Sequence, residues 1–342
     1  MHSTISPRQP RQGTAETLRG LSLRAARYLG FVCAAILFPG MVASAVASNN
    51  GLQVSPGTDA PQASRRLIHT EPSDFATVLV YETGAQRCMT FNWLDNPNSE
   101  SCYAPSHPDR MVFDYTRTMM AALYLQPAPA RVLVIGLGGG TLPSALAALL
   151  PDTKIDSVEI DPAVVRVAQA YFGFTPGTRQ RVHRQDGRAF VADAVKRGDR
   201  YDIVMLDAFE ATYIPSQLMT IEFLQTLRNA LSDHGVVVAN TATASPLYDR
   251  ETATYTAVFG DVYQVKDNNR VIFATPTALP AVAHMKENAA QWQSALGPYG
   301  IEADPFFSAL TRVYACDAPN RLPPRPACVS EPLRDTAILH SP

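Results

Sequence analysis

Apolar positions fall into short runs separated by polar turns through the middle of the chain. Residues 132–135 are four aliphatic side chains with no polar break. Such a run predicts a strand buried on both faces of a parallel sheet. Further strands are predicted over 154–160, 181–185, 201–206 and 235–240. Between them the spacing turns helical: an Ala/Leu-rich helix over 142–150, and a helix over 218–231 with Thr220 as a candidate N-cap. Upstream, 76–81 and 86–93 flank the turn Thr83-Gly84-Ala85 and predict a hairpin of a small β-domain. Residues 111–124 carry the spacing of a helix that leads into the sheet. Downstream, 261–265 and 270–274 predict an antiparallel pair around the turn former Asp267-Asn268-Asn269, and 282–296 a further helix. The pattern is that of an α/β fold preceded by a small β-domain.

The strand ends carry the chemistry. Residues 131–142 read Arg-Val-Leu-Val-Ile-Gly-Leu-Gly-Gly-Gly-Thr-Leu. Gly136, Gly138, Gly139 and Gly140 let the backbone turn tightly ahead of a helix N-terminus, where a nucleotide can approach closely. A tight turn without a ligand is the plainer alternative. The next strand ends in Glu159-Ile160-Asp161-Pro162. An acid about twenty positions after the loop suits a ribose hydroxyl pair. Helix N-capping ahead of Pro162 is the other use of these acids, and Asp161 can cap while Glu159 faces a ribose. The third strand ends in Asp186-Gly187 and the fourth in Asp207. In an open parallel sheet these ends face one crevice, so the side chains of Glu159, Asp186 and Asp207 are expected to converge beside the glycine bend.

Composition bounds the rest. The chain has 342 residues, a net charge of −2 and 18% charged residues, which gives no reason to expect a nucleic-acid partner. Arg8, Arg11, Arg19, Arg24 and Arg27 precede an apolar run over 28–47 that ends in small residues. That order fits a secretory signal peptide, or an inner-membrane anchor if uncleaved. Export is the expectation, with a cytoplasmic protein extended from an early start codon as the alternative. Outside that run Cys88 groups with Cys102, and Cys316 with Cys328, as two disulfides or four thiols. The histidines show no metal-ligand spacing, so no metal is expected.

With these residues placed, the chain resembles the spermidine synthase family of aminopropyltransferases over roughly 67–275. The likeness rests on Val-Leu-Val-Ile-Gly-Leu-Gly-Gly-Gly, Val158-Glu159-Ile160-Asp161-Pro162, Asp186-Gly187-Arg188 and the run from Tyr201 to Asp207. It implies a Rossmann-like, methyltransferase-type sheet and S-adenosylmethionine or its decarboxylated form as co-substrate. Glu159 would hold the ribose and Asp186 the adenine amino group. Gly136, Gly138, Gly139, Gly140, Asp161 and Gly187 would complete the nucleoside site. Asp207 would be the base that takes a proton from an attacking amine. Tyr115, Glu210 and Tyr213 would border the amine, with core packing or a surface position as their alternatives. Members tend to pair, so a homodimer is one expectation.

Three departures stand beside these matches. Polyamine-making members carry an Asp inside the glycine loop that grips the amino end of the donor, and none is present here. Thr116-Arg117 follows Tyr115 where they carry His-Glu, and Ala76 stands where they carry Gln. An arginine in place of a carboxylate would repel a polyamine cation or attract an anion. Two alternatives to the aminopropyltransferase follow: a small-molecule methyltransferase, and a non-catalytic exported relative. The expected organisation is a signal peptide or anchor over 1–47, a linker over 48–66, and the hairpin domain with its connecting helix over 67–125. The nucleoside-binding domain follows over 126–275, then a C-terminal helix and Pro-rich tail over 276–342.

Overall fold

Two sheets organise the chain. The computed structural model describes residues 64–95, 99–208, 215–315 and 330–338. The segment 1–47, the loop residues Phe209, Glu210, Tyr213 and Ile214, and the pair Cys316 and Cys328 lie outside them.

The small sheet is antiparallel, in the order β1 (Arg66–Glu71), β2 (Val78–Thr83), β3 (Gln86–Phe91), β4 (Ser101–Tyr103). The hairpin expected from alternation is β2–β3, turning at Gly84. β1 and β4 flank it. The start of β1 falls at the end of the expected linker, and β4 lies in what reads as a polar loop. Cys88 and Cys102 face each other across β3–β4 and form a disulfide.

The large sheet has the order β12-β10-β11-β9-β8-β5-β6-β7. Five strands are parallel: β5 (Arg131–Ile135), β6 (Lys154–Glu159), β7 (Gln180–Arg184), β8 (Tyr201–Leu206) and β9 (Leu231–Ala242). β10 (Val262–Lys266), β11 (Asn269–Ala274) and β12 (Thr311–Val313) add antiparallel to one edge. β12 is a correction to the expected tail: the chain after 276 returns to close the sheet.

The unbroken apolar runs are explained by burial on both faces. Val132 and Val134 pack with α3 (Thr141–Leu149) and α8 (Val282–Leu296) on one side of the sheet. Leu133 and Ile135 pack on the other with α5 (Gly187–Arg197), α6 (Ile221–Asn229) and α7 (Tyr248–Phe259). α4 (Pro162–Tyr171) buries its apolar face against Val78, Val80 and Met89, so the small sheet docks over the end of β6. The expected helix over 111–124 divides into α1 (Asp114–Met120) and α2 (Ala122–Leu125). Thr220 caps α6 as expected, accepting from the Phe223 N–H.

The chain leaves β5 toward β6 and β7 on one side, and β8 toward β9 on the other. The order reverses between β5 and β8, where open α/β sheets place their ligands.

Candidate active site

The ends of β5, β6 and β8 are laced together by backbone. The Asp207 N–H donates to the Ile135 carbonyl at 2.8 Å, and the Gly136 N–H to that of Val158 at 2.9 Å. Gly136 has φ +93°, and a Cβ there would sit 2.1 Å from the Asp207 carbonyl oxygen. Only glycine fits. A cavity of about 1000 Å³ opens above this junction.

Gly136, Gly138, Glu159, Asp161, Asp186, Gly187, Asp207 and Tyr115 all line it. Glu159, Asp186 and Asp207 thus face one hollow. Gly139 and Gly140 do not line it. A Cβ on Gly139 would meet Ser101 Oγ at 2.7 Å and the Phe172 ring at 2.8 Å, and one on Gly140 would meet Phe174 at 2.5 Å. These two glycines let the loop pack on β4 and on the chain after α4.

The acids differ in what already holds them. Glu159 accepts from the Leu137 and Asp161 N–H groups, each at 3.0 Å, which ties the loop to β6. Burial raises its pKa. Asp161 caps α4 through the Ala163 N–H at 2.7 Å and accepts from Ser73 Oγ at 2.6 Å, anchoring the small sheet. Asp186 caps α5 through the Ala189 N–H at 2.8 Å. Asp207 accepts from Asn240 Nδ2 at 2.9 Å and from the Tyr115 hydroxyl. Burial pushes Asp207 up to about 6 against the pull of those two donors. Tyr115 is raised well above its ordinary value by burial and by the charges of Asp207 and Glu100, so it stays a proton donor.

Arg117 does not take the place beside the amine that its position after Tyr115 suggests. Its guanidinium turns back to the Met111 carbonyl at 2.5 Å and pairs with Asp114. It does not line the cavity; Thr116 and Thr118 on either side do. Nothing cationic replaces it: the described lining residues include Glu100, Asp114, Glu159, Asp161, Asp186, Asp207 and Asp267, and no Lys, Arg or His.

Three lining residues escape the sequence reading of the site. Asn240 lies on β9 one step past the Leu206–Ala239 pair, level with Asp207, but β9 runs on to Ala242 and no strand end marks it. Asn269 follows the β10–β11 turn, and its Nδ2 donates to Asn240 Oδ1 at 2.9 Å. Glu100 enters from just before β4, and no local pattern marks it.

Fold and cavity together define an α/β protein with a large, carboxylate-lined cavity at the strand ends of its central sheet. Residues 112–289 match the family model described as spermine/spermidine synthase domain. A polyamine aminopropyltransferase of Vibrio vulnificus is 42% identical over 250 residues, 72% of this chain and 84% of that one. The chain therefore belongs to the spermine/spermidine synthase family, and the expected transferase class holds with it. Among solved structures, a probable spermidine synthase from Corynebacterium glutamicum superposes with TM-score 0.56 at 17% identity, covering 72% of this chain and 90% of that one. It shares the fold. Human methyltransferase-like protein 13, solved in complex with SAH, aligns with TM-score 0.50 at 29% identity over 54% of this chain and 93% of that one.

Proposed function

We propose that this protein is a polyamine aminopropyltransferase that moves the aminopropyl group of decarboxylated S-adenosylmethionine to an amine, with Asp207 as the base. The observation that carries this reading is the charge of the cavity: seven carboxylates line it and no cationic side chain does, among the described residues. Donor and acceptor are both cations in this reaction, and such a lining concentrates them.

The junction of β5, β6 and β8 suits the nucleoside. Gly136 permits close approach of backbone, and Glu159 is half-buried at the strand end where a ribose would lie. A protonated amine is not a nucleophile. Asp207, held by Asn240 and Tyr115, attracts the ammonium and then takes its proton. The freed amine forms a C–N bond to the methylene carbon beside the sulfonium. The C–S bond breaks, its electron pair stays on sulfur, and methylthioadenosine leaves. Holding two substrates in line supplies much of the acceleration.

The test is release of methylthioadenosine from decarboxylated S-adenosylmethionine with a panel of linear diamines and triamines. Release with at least one amine is expected. No release with any amine, together with methyl transfer from intact S-adenosylmethionine, would replace this reading by the methyltransferase one that the likeness to human methyltransferase-like protein 13 favours.

The reaction is proposed to take place outside the cytoplasm. The Cys88–Cys102 disulfide and the basic–apolar–small order of the first 47 residues support this. A fusion to a phosphatase active only after export is expected to be active; activity confined to a cytoplasmic reporter would overturn it.

A further inference from the structure

We propose that Glu100 is the carboxylate that binds the terminal ammonium of the aminopropyl donor, reaching the site from the small sheet. This rests on the aminopropyltransferase reading above.

Glu100 lines the cavity, and its Oε1 is buried with no hydrogen-bond partner among the described residues. An unpaired buried carboxylate oxygen is costly unless something completes it. The other lining acids are engaged: Glu159 and Asp161 through both oxygens, Asp186 by its cap, Asp114 by Arg117, and Asp207 by Asn240 and Tyr115. Asp267 is exposed. Glu100 also feels Asp207, whose negative charge adds to burial in raising it to about 7. Two carboxylates facing one hollow repel each other until a cation lies near both.

Position selects the donor over the acceptor. The Glu100 backbone carbonyl lies 3.8 Å from where a Gly138 Cβ would be, and the neighbouring Ser101 packs on Gly139. Glu100 thus flanks the glycine loop on which the nucleoside half of the donor rests. The loop itself has no acid, and Ser101 and Phe172 leave no room for a side chain at Gly139. The carboxylate comes instead from a segment fixed by three connections. The Glu100 N–H donates to the Met89 carbonyl at 2.9 Å, Ser101 pairs with Met89, and Cys102 is bridged to Cys88.

The experiment compares full-length wild type, Glu100→Gln and Glu100→Asp by calorimetric titration and steady-state kinetics. Two sulfonium ligands are used: decarboxylated S-adenosylmethionine, and 5′-dimethylthioadenosine sulfonium, which keeps the nucleoside and the sulfonium charge but lacks the aminopropyl chain. Glu100→Gln is expected to weaken the first about 10- to 100-fold, the loss typical of one charge-assisted hydrogen bond. It is expected to leave the second within about twofold, and Glu100→Asp to restore part of the difference because the charge returns on a shorter arm. The donor KM rises in step while the amine KM holds. Equal weakening of both ligands, no weakening of either, or an effect on the amine KM alone would overturn the assignment. If wild type binds the short sulfonium but gives no methylthioadenosine with any amine, it is the aminopropyltransferase reading that fails.

Discussion

Asn240 on β9 donates its side-chain N–H at 2.9 Å to Oδ1 of Asp207, the residue that follows the adjacent strand β8. The amide cannot flip, because its oxygen accepts from Asn269 on β11. Asn240 stabilises the ionised form of Asp207 against a burial that favours the neutral one. Asn240→Ala should therefore raise the Asp207 pKa further and leave its carboxylate free to rotate. Turnover is expected to fall about 10- to 100-fold at neutral pH, in the range for a misplaced base, and to recover partly as pH rises. Nucleoside binding is expected to hold. A kcat–pH profile that keeps its wild-type midpoint would show that Asn240 does not act through Asp207.

The pH dependence of the free enzyme should report two acids. Burial pushes Asp207 up to about 6, and burial with the Asp207 charge pushes Glu100 up to about 7. Below pH 6 both bind protons and kcat/KM climbs steeply; the climb eases between 6 and 7 and levels above. Glu100→Gln should remove the upper limb and leave the lower. Stability runs the other way. The folded pKa of Asp207 exceeds the ordinary value of about 4, so the native state binds the extra proton between those values. The Asp207 contribution to stability is lost as pH rises from about 4 to about 6. Asp207→Asn removes that cost. It should melt higher than wild type at pH 8, match it near pH 3, and lose at least about a thousandfold in turnover because an amide takes no proton.

How much of this was open to reading depends on where each signal resides. The four strand ends at Gly136, Glu159, Asp186 and Asp207 are local: an apolar run stops, a turn residue follows, and parallel pairing does the rest. The same locality makes Thr220 and Asp161 readable as caps. β4 is three residues long, shorter than any periodicity, and exists because Cys102 and Ser101 lie opposite Cys88 and Met89. α7 is rich in threonine and buries residues on most sides, so it has no polar face to mark it. Arg117 is adjacent in sequence to a cavity residue, but one helical step of about 100° turns it away. Glu100 depends on the docking of one sheet over another, which no local stretch of sequence encodes.

Gly136 is the position where fold and site cannot be separated. A Cβ would lie 2.1 Å from the Asp207 carbonyl oxygen, on a backbone with φ +93°. Gly136→Ala must therefore push β5 and β8 apart. The expected cost is about 2–4 kcal/mol from strain and overpacking together. Binding of methylthioadenosine should be lost even at temperatures where the variant is folded. Thermal unfolding and titration on the same sample check this, and a folded variant with wild-type affinity would show that the junction yields without harm.

A buried ion pair lies beside the register that places Asn240 opposite Val271. Arg270 is fully buried on β11. Its guanidinium pairs with Glu251 of α7, donates to Thr241 and Thr252 at 2.7 Å each, and lies 3.8 Å over the Tyr248 ring. Glu251 takes a further bond from Ser245 at 3.0 Å. With every group satisfied, removing one partner strands the other charge in an apolar interior. Arg270→Met alone should cost about 3–5 kcal/mol. The double variant Arg270→Met, Glu251→Leu should cost less than Arg270→Met alone, because no charge is left unpaired. The pair also anchors the strand that carries Asn269, so Arg270→Met should lower kcat before it unfolds the protein. Chemical denaturation of both single variants and the double one gives the coupling energy. Additive losses would mean that the pair does not act as a unit.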